Sequence, residues 1–488
     1  MAEVWSEQRL LIDGELVDAA SGATYDNVNP ATEEVLGVTA DAAQADMDRA
    51  IAAARRAFDE TAWSTDVAFR LRCLRQLDEA LGAHAEELRG TVVAEVGAPV
   101  ALTSGPQLDA PLQGVGWVAD LVERYEWQQD IGEATNFGIT SRRVIQREAA
   151  GVVGAITPWN FPIQINLAKV VPAMAAGCTV ILKPAPDTPW TGTLLGRIVA
   201  EETDIPAGVF NVITSAANDV GQQLCEDPRV DLISFTGSTS TGKKIMRAGA
   251  DNLKKVFLEL GGKSAAVVLD DADLGSALFM TAFAITTHAG QGCAITSRLL
   301  IPRSRWDEAV EQLLGIMGSI SYGDPTDPAN MMGPLIRESQ RERVLGYIQK
   351  GVEEGATLAM GGGIPTHLEK GFYVEPTVLL DVDEDATVAQ EEIFGPVLAV
   401  IGFDDDDDAV RIANNSIYGL SGGVFAGSDE RAVAVANRIR TGTMSINGGL
   451  YYGADAPFGG YKQSGIGREM GVLGFEEYTE VKTLAFPV

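Results

Sequence analysis

The chain has 488 residues, of which 46% are hydrophobic, 22% charged and 7% aromatic; these globular proportions exclude a disordered chain or a fibre and, at roughly 150 residues per domain, suggest about three domains. Lysine and arginine number 37 against 68 aspartates and glutamates, a formal charge of −31, so the surface repels phosphate backbones and anionic membranes, and neither nucleic acid nor membrane is an expected partner. The 4 cysteines and 3 histidines are too sparse for a disulfide scaffold and lack zinc-ligand spacing, so no metal is expected.

The first ten residues lack the apolar core of a signal peptide, which predicts a cytoplasmic protein. Short strands are expected from Leu10 to Val17 and from Val35 to Val38, around turns at Asp13-Gly14 and Asn29-Pro30. Apolar spacing is helical over 42–57 and 67–81. From Gly151 a βαβ rhythm begins, with strands at 151–156, 179–182, 209–213 and 232–235. Helices fall between them, up to Ala176, around 191–201 and over 220–225, and another follows within 237–248. The oily run 163–182 contains Lys169, Pro172 and Gly177, so it reads as a buried helix and strand, not as a membrane span. This alternation predicts a doubly wound, Rossmann-like α/β unit with a mostly parallel sheet, followed by a second α/β unit from about 264 to 458. Asp404 to Asp408 read as a solvated loop before a helix starting near Ala409.

Four short stretches carry chemistry. Cys293, in "GQGCAITSR", has glycines on both sides that permit close backbone approach to a ligand. A lone cysteine is usually a small buried hydrophobe, and a thiol of pKa about 8.5 needs activation before it attacks. His288 nearby is either a base for a cysteine hydrolase or a structural histidine, and the lack of an orienting partner favours the structural reading. Glu259, in "LELGGK", lies at a strand end before a Gly-Gly turn; it is either an exposed carboxylate or a desolvated one suited to activating water. Asn160, in "TPWNFP", is a turn residue or an oxyanion donor. Gly237 to Gly242, "GSTSTG", opens a helix whose amides suit a pyrophosphate, although it is neither a GxGxxG fingerprint nor a P-loop.

Taken with "NPATEEVLG", "GVVGAITPWNFP", "FTGST", "EEIFGPV" and "PFGGYKQSGIGRE", these stretches give the chain a whole-length resemblance to the aldehyde dehydrogenase superfamily. The separations between Asn160, Glu259 and Cys293 agree with it. The resemblance implies a non-acylating, NAD(P)-dependent oxidation of an aldehyde to the acid through a thiohemiacetal and a thioester. Cys293 would be the nucleophile, Asn160 the oxyanion donor, Glu259 the hydrolytic base and Lys169 a support for proton relay. It places Trp159, Gly237 and Ser238 at the cofactor pyrophosphate, Lys183 at the adenosine ribose, and Glu392 and Phe394 at the nicotinamide ribose. Many NAD-using members carry "KPAE", whereas this chain reads "KPAPDTP", with Pro186 in the glutamate's place and Asp187 beside it. NAD is the expected cofactor, with NADP open. Phe161, Tyr452 and Phe458 fall at tunnel positions and suggest an apolar or aromatic aldehyde.

The same resemblance divides the chain into a cofactor domain (1–129 and 149–261), a catalytic domain (262–460) and a small β segment (130–148 and 479–488) that assembles homodimers or homotetramers. A cofactor-free thiol esterase and a non-catalytic relative are the competing readings. The first needs neither "GSTSTG" nor Glu392, and the second is expected to have lost Cys293, Glu259 or Asn160.

Overall fold

The computed structural model describes residues 4–488. Three separate sheets organise them, beside a small hairpin of Thr24–Val28 and Val35–Ala40. The first sheet has eight strands, and its five central ones run parallel, in the order Lys255–Glu259, Leu232–Thr236, Val152–Ile156, Thr179–Lys183 and Phe210–Val212. Of these five, Val152–Ile156 is entered first, and the chain then winds out to one side before returning to build the other. The reversal falls between Val152–Ile156 and Leu232–Thr236, and ligands of such sheets bind outside the carboxyl ends of the strands at that point. The loops leaving those two ends carry Trp159, Asn160, Gly237 and Ser238. Four of the five strands are buried throughout or nearly so, as expected for a sheet covered by helices on both faces.

The second sheet has seven strands with Ser264–Val268 and Thr296–Pro302 at its centre. The third is an antiparallel sheet of Gln128–Asn136, Ile139–Ala149 and the tail strand Thr479–Pro487. Segment Gly465–Ile466 returns from the far end of the chain to pair antiparallel with Lys255–Glu259 at the edge of the first sheet.

Two local readings of the sequence are corrected here. The aspartate run is no loop: Asp405 caps a helix over Asp406–Asn414 through the Asp408 amide. Three aspartates therefore occupy the first turn, where the helix dipole favours them, and Asp406, Asp407 and Asp408 pair with Arg431, Arg438 and Arg411. Strand Thr24–Val28 was also not expected, because its Asp26 and Asn27 are poor strand formers; pairing with Val35–Ala40 overrides them.

Glu95 shows how a buried carboxyl can start a helix. Its carboxyl accepts from the amides of Trp190 and Thr191, the first residues of helix Trp190–Glu202, and from the Asn27 side chain. Burial pushes its pKa up to about 7, against those three donors. The native state therefore keeps the proton where the unfolded state has lost it. This group's contribution to stability is full below pH 4.5 and is lost as pH rises through about 7, by up to about 3 kcal/mol. Glu95→Gln removes the titration, so its melting temperature should vary less than the native one across that window.

Candidate active site

Cys293 lies in the turn between helix Leu274–Thr286 and strand Thr296–Pro302. Three successive residues just before it, His288, Ala289 and Gly290, have φ of 49°, 53° and 70°. This left-handed run is rare for non-glycine residues and costs about 1–3 kcal/mol per strained position. Gly290 is required there, because a Cβ would strike the Gly395 carbonyl. The run turns the chain sharply and presents the half-buried Cys293 to a cavity of about 360 Å³.

Asn160, Glu259, Phe161, Tyr452 and Phe458 line the same cavity, so the sequence-predicted chemical and pocket residues converge, Lys169 excepted. The loop carrying Asn160 is fastened twice. Gln107 donates to the Asn160 carbonyl at 2.9 Å, and the Asn160 amide donates to the Gln291 carbonyl at 2.9 Å. Gln291 in turn donates to the carbonyls of His288 and Pro334 and accepts from the Ile336 amide. One hydrogen of the Asn160 NH2 is thus used and the other remains free for a ligand.

Glu259 is 2% exposed and neither carboxyl oxygen has a hydrogen-bond partner among the described residues. Burial, and then the neighbouring Glu469 carboxylate, push its pKa well above the usual carboxylate range. Burial also pushes the Cys293 thiol up, with Glu259, Glu392 and Glu469 adding to the effect. Both groups therefore hold their protons more tightly than free side chains do. His288 cannot serve as a base: burial lowers it to about 3, and its ring packs edge-to-face on Phe161 at 5.4 Å.

Lys169 does not reach the cavity directly. It is fully buried on helix Pro162–Ala176 and donates to Glu469 at 2.5 Å and to Ser234 at 3.1 Å. Glu469 does line the cavity, and sequence reasoning missed it. It is the last residue of "PFGGYKQSGIGRE", so the signal was present, but nothing in the sequence showed that it meets Lys169. Gln291, inside "GQGCAITSR", was missed in the same way, and Gln107 carries no comparable signal.

The remaining predicted residues form a second group. Trp159 and Phe394 pack edge-to-face at 5.4 Å. Glu392 accepts from the Gly262 amide at 3.0 Å, and burial lifts its pKa to about 7. Ser238 caps helix Thr239–Ala250, and the Gly237 amide donates to the Glu259 carbonyl at 3.0 Å, tying this loop to the carboxyl's backbone. Lys183 is buried and donates to the Ser215 carbonyl, with its pKa lowered by burial. Asp187 is held by Arg337 at 2.5 Å. Among the described residues no helix is long and apolar enough to cross a membrane, and no group of three or more His, Cys, Asp or Glu could hold a metal.

A strained turn thus presents a thiol to a cavity that it shares with a buried carboxyl and a side-chain amide, beside a doubly wound sheet. The aldehyde dehydrogenase family model matches residues 16–484. A 3-succinoylsemialdehyde-pyridine dehydrogenase of Pseudomonas is 42% identical over 481 residues, covering 97% of each chain. A crystal structure of a Mycobacterium tuberculosis aldehyde dehydrogenase with NAD+ is 40% identical, covers 99% of each chain and superposes with a TM-score of 0.95. A Staphylococcus aureus betaine aldehyde dehydrogenase with NAD+ is 36% identical, covering 99% of this chain and 95% of its own, at a TM-score of 0.95. The chain belongs to the aldehyde dehydrogenase family. It is accordingly an NAD(P)-dependent oxidoreductase that converts aldehydes to acids.

Proposed function

We propose that the chain oxidises a neutral apolar or aromatic aldehyde with NAD, using Cys293 as nucleophile and Glu259 as hydrolytic base. The observation that carries this reading is the cavity itself. It joins the thiol, the carboxyl and the Asn160 amide, its walls include Phe161, Phe283, Phe425 and Phe458, and no lysine, arginine or histidine lines it. A second carboxylate on the substrate would find no counter-charge there.

The cofactor group fits the residues present. The first amides of helix Thr239–Ala250 have no intrahelical acceptors and suit a pyrophosphate, with Trp159, Gly237 and Ser238 at the loop. Lys183 would hold the adenosine ribose, and Glu392 and Phe394 the nicotinamide ribose. When bound, the nicotinamide supplies the hydride acceptor and a positive charge.

Cys293 Sγ adds to the carbonyl carbon as the thiol proton passes to water, and the carbonyl oxygen becomes an oxyanion. The free hydrogen of the Asn160 amide and the Cys293 backbone N–H stabilise that charge. Loss of hydride from the same carbon leaves a thioester on Cys293. Glu259 then takes a proton from water, which attacks the thioester and releases the acid and the thiol. The Lys169–Glu469 pair, whose carboxylate lies close enough to raise Glu259, gives that proton a path away from the cavity.

The reading is tested by absorbance of the reduced nicotinamide with a panel of aldehydes, run separately with NAD and NADP. Benzaldehyde and medium-chain alkanals are expected to outrun betaine aldehyde and succinic semialdehyde; the reverse order would overturn the substrate reading. Asp187 supports NAD, because its charge opposes a 2′-phosphate. In Asp187→Asn that repulsion disappears and Arg337 loses its partner, so kcat/KM with NADP relative to NAD should rise about 10-fold; an unchanged ratio removes Asp187 from selectivity.

The eight-stranded sheet and its helices form the cofactor domain in this reading, and the seven-stranded sheet the catalytic domain. Phe137, Ile139 and Val481 stand exposed on the three-stranded sheet, which supports assembly of a homodimer or homotetramer through it. Four free cysteines suit a reducing compartment, the cytoplasm.

A further inference from the structure

Helix Pro162–Ala176 brings Lys169 against two neighbouring strands of the first sheet. Ser234 and Phe257 are paired in those strands, as are Thr236 and Glu259 two residues further on. Side chains two apart on a strand share a face, so the second pair stands about 7 Å beyond the first, where it lines the cavity. The Lys169 ammonium meets the first pair. It donates to Ser234 at 3.1 Å and lies 4.9 Å from the centre of the Phe257 ring. Its remaining partner, Glu469, lines the cavity with Glu259.

Ser234 is held in turn. Its hydroxyl and that of Tyr478 bond each other at 3.0 Å, and among the described residues the Tyr478 hydroxyl has no second partner. Tyr478 is fully buried between helix Gly471–Glu476 and strand Thr479–Pro487. Its carbonyl accepts from the Ala150 amide and the Cys178 thiol, so its backbone is fixed as well. An ammonium only donates, so Ser234 Oγ accepts from Lys169. One hydroxyl hydrogen of the Ser234–Tyr478 pair then lacks an acceptor, whichever way their bond points. A phenylalanine would fill the same space without that loss, so packing does not call for the phenol. Burial, and then Glu469, hold the Tyr478 hydroxyl well above its usual range, so it stays neutral.

We propose that Ser234 and Tyr478 are positioning residues for hydrolysis: their hydroxyls form a post that holds the Lys169 ammonium in place against Glu469 and Glu259. This rests on Glu259 as the hydrolytic base and names what tunes that base. After burial, Glu469 raises Glu259, Lys169 and Arg468 lower it, and Glu477 raises it. The Cys293 thiol and the Tyr452 hydroxyl share its cavity. Lys169 is the fully buried cation of this set, so its position matters most. Without the post the ammonium keeps Glu469 but is no longer fixed against Glu259, and its lowering effect weakens.

Tyr478→Phe and Ser234→Ala each remove one oxygen and keep the surrounding packing. In both, the acid limb of turnover is expected to move up by about 1 pH unit, about 10-fold in kcat at a fixed pH on the limb. On the plateau kcat returns to the native value. The burst of reduced nicotinamide keeps its amplitude, since the first half of the reaction does not use Glu259. The double variant should move the limb no further than Ser234→Ala alone, because Tyr478 acts through Ser234. A limb that stays in place in both single variants, a kcat lowered equally at every pH, or shifts that add in the double variant would overturn the proposal.

The infrared band of the protonated Glu259 carboxyl, identified by its loss in Glu259→Gln, titrates without turnover and separates this proposal from the functional reading. A band midpoint that rises in both variants, with no matching limb in turnover, would leave the post standing and defeat Glu259 as the hydrolytic base. An unmoved midpoint, with a limb that Glu259→Gln abolishes, would defeat the post and leave the base.

Discussion

Cys293→Ala is expected to lower aldehyde oxidation at least about 10⁴-fold and to leave cofactor binding intact, because nothing else in the cavity can form the covalent intermediate. The remaining polar side chains there are carboxyls, amides and hydroxyls, and the one histidine nearby is held neutral at about 3 by burial. Cys293→Ser should do little better, since the serine hydroxyl is a still weaker acid than a thiol that burial has already pushed up. The readouts are steady-state reduction of the nicotinamide and the quenching of protein fluorescence by NAD. Retained oxidation in Cys293→Ala would sink the nucleophile assignment. Lost quenching would mean that Cys293 acts through folding of its strained turn, and in that case the alanine result says nothing about chemistry until the serine variant is compared. A cofactor-free ester cleavage that also vanishes in the alanine variant would identify Cys293 as the reactive thiol there too.

Much of the architecture was legible in the chain because the parallel sheet is buried on both faces. Runs such as those around Thr179–Lys183 and Leu232–Thr236 then appear as short apolar blocks between helical periods, and the order of windings follows from their spacing. Local polarity misleads where tertiary contacts decide. Asp26 and Asn27 lie in a strand because Val35–Ala40 pairs with them, and the aspartate run opens a helix that Asp405 caps while arginines from two other segments pair with its charges. The same holds in the site. Glu259 was ambiguous between an exposed strand end and a desolvated acid, and its burial, with Glu469 packed beside it 210 positions later by residue number, decides for the acid. Gln107 is an ordinary surface-type residue by composition, yet its side-chain amide holds the Asn160 carbonyl, while the Gln291 backbone carbonyl accepts from the Asn160 side chain. Such roles depend on which loops meet, and a motif does not encode that. Asp187, beside Pro186 in "KPAPDTP", is engaged by Arg337, from a segment 150 residues away in sequence.

Glu259→Gln should separate the two halves of the reaction. The first half needs the thiol, the oxyanion donors and the cofactor, so a burst of reduced nicotinamide close to one per active site is expected to survive. The second half needs a base to take a proton from water, and glutamine cannot do so; steady-state turnover should fall about 10²–10⁴-fold. The pH profile gives an independent check. Because burial and Glu469 raise the Glu259 pKa, the carboxyl is protonated at the acid end of the range and becomes a base only as pH rises through that raised value. Native turnover should therefore climb with pH on that limb, and the limb should disappear in Glu259→Gln. Disturbing the neighbours moves it in a known direction. Glu469→Gln removes a like charge and should shift the limb to lower pH, while also leaving Lys169 buried without its carboxylate partner, at a stability cost of about 3–5 kcal/mol. A limb that stays in place in both variants would show that another group limits deacylation. Equal steady-state rates for native enzyme and Glu259→Gln would remove Glu259 from the hydrolytic step altogether.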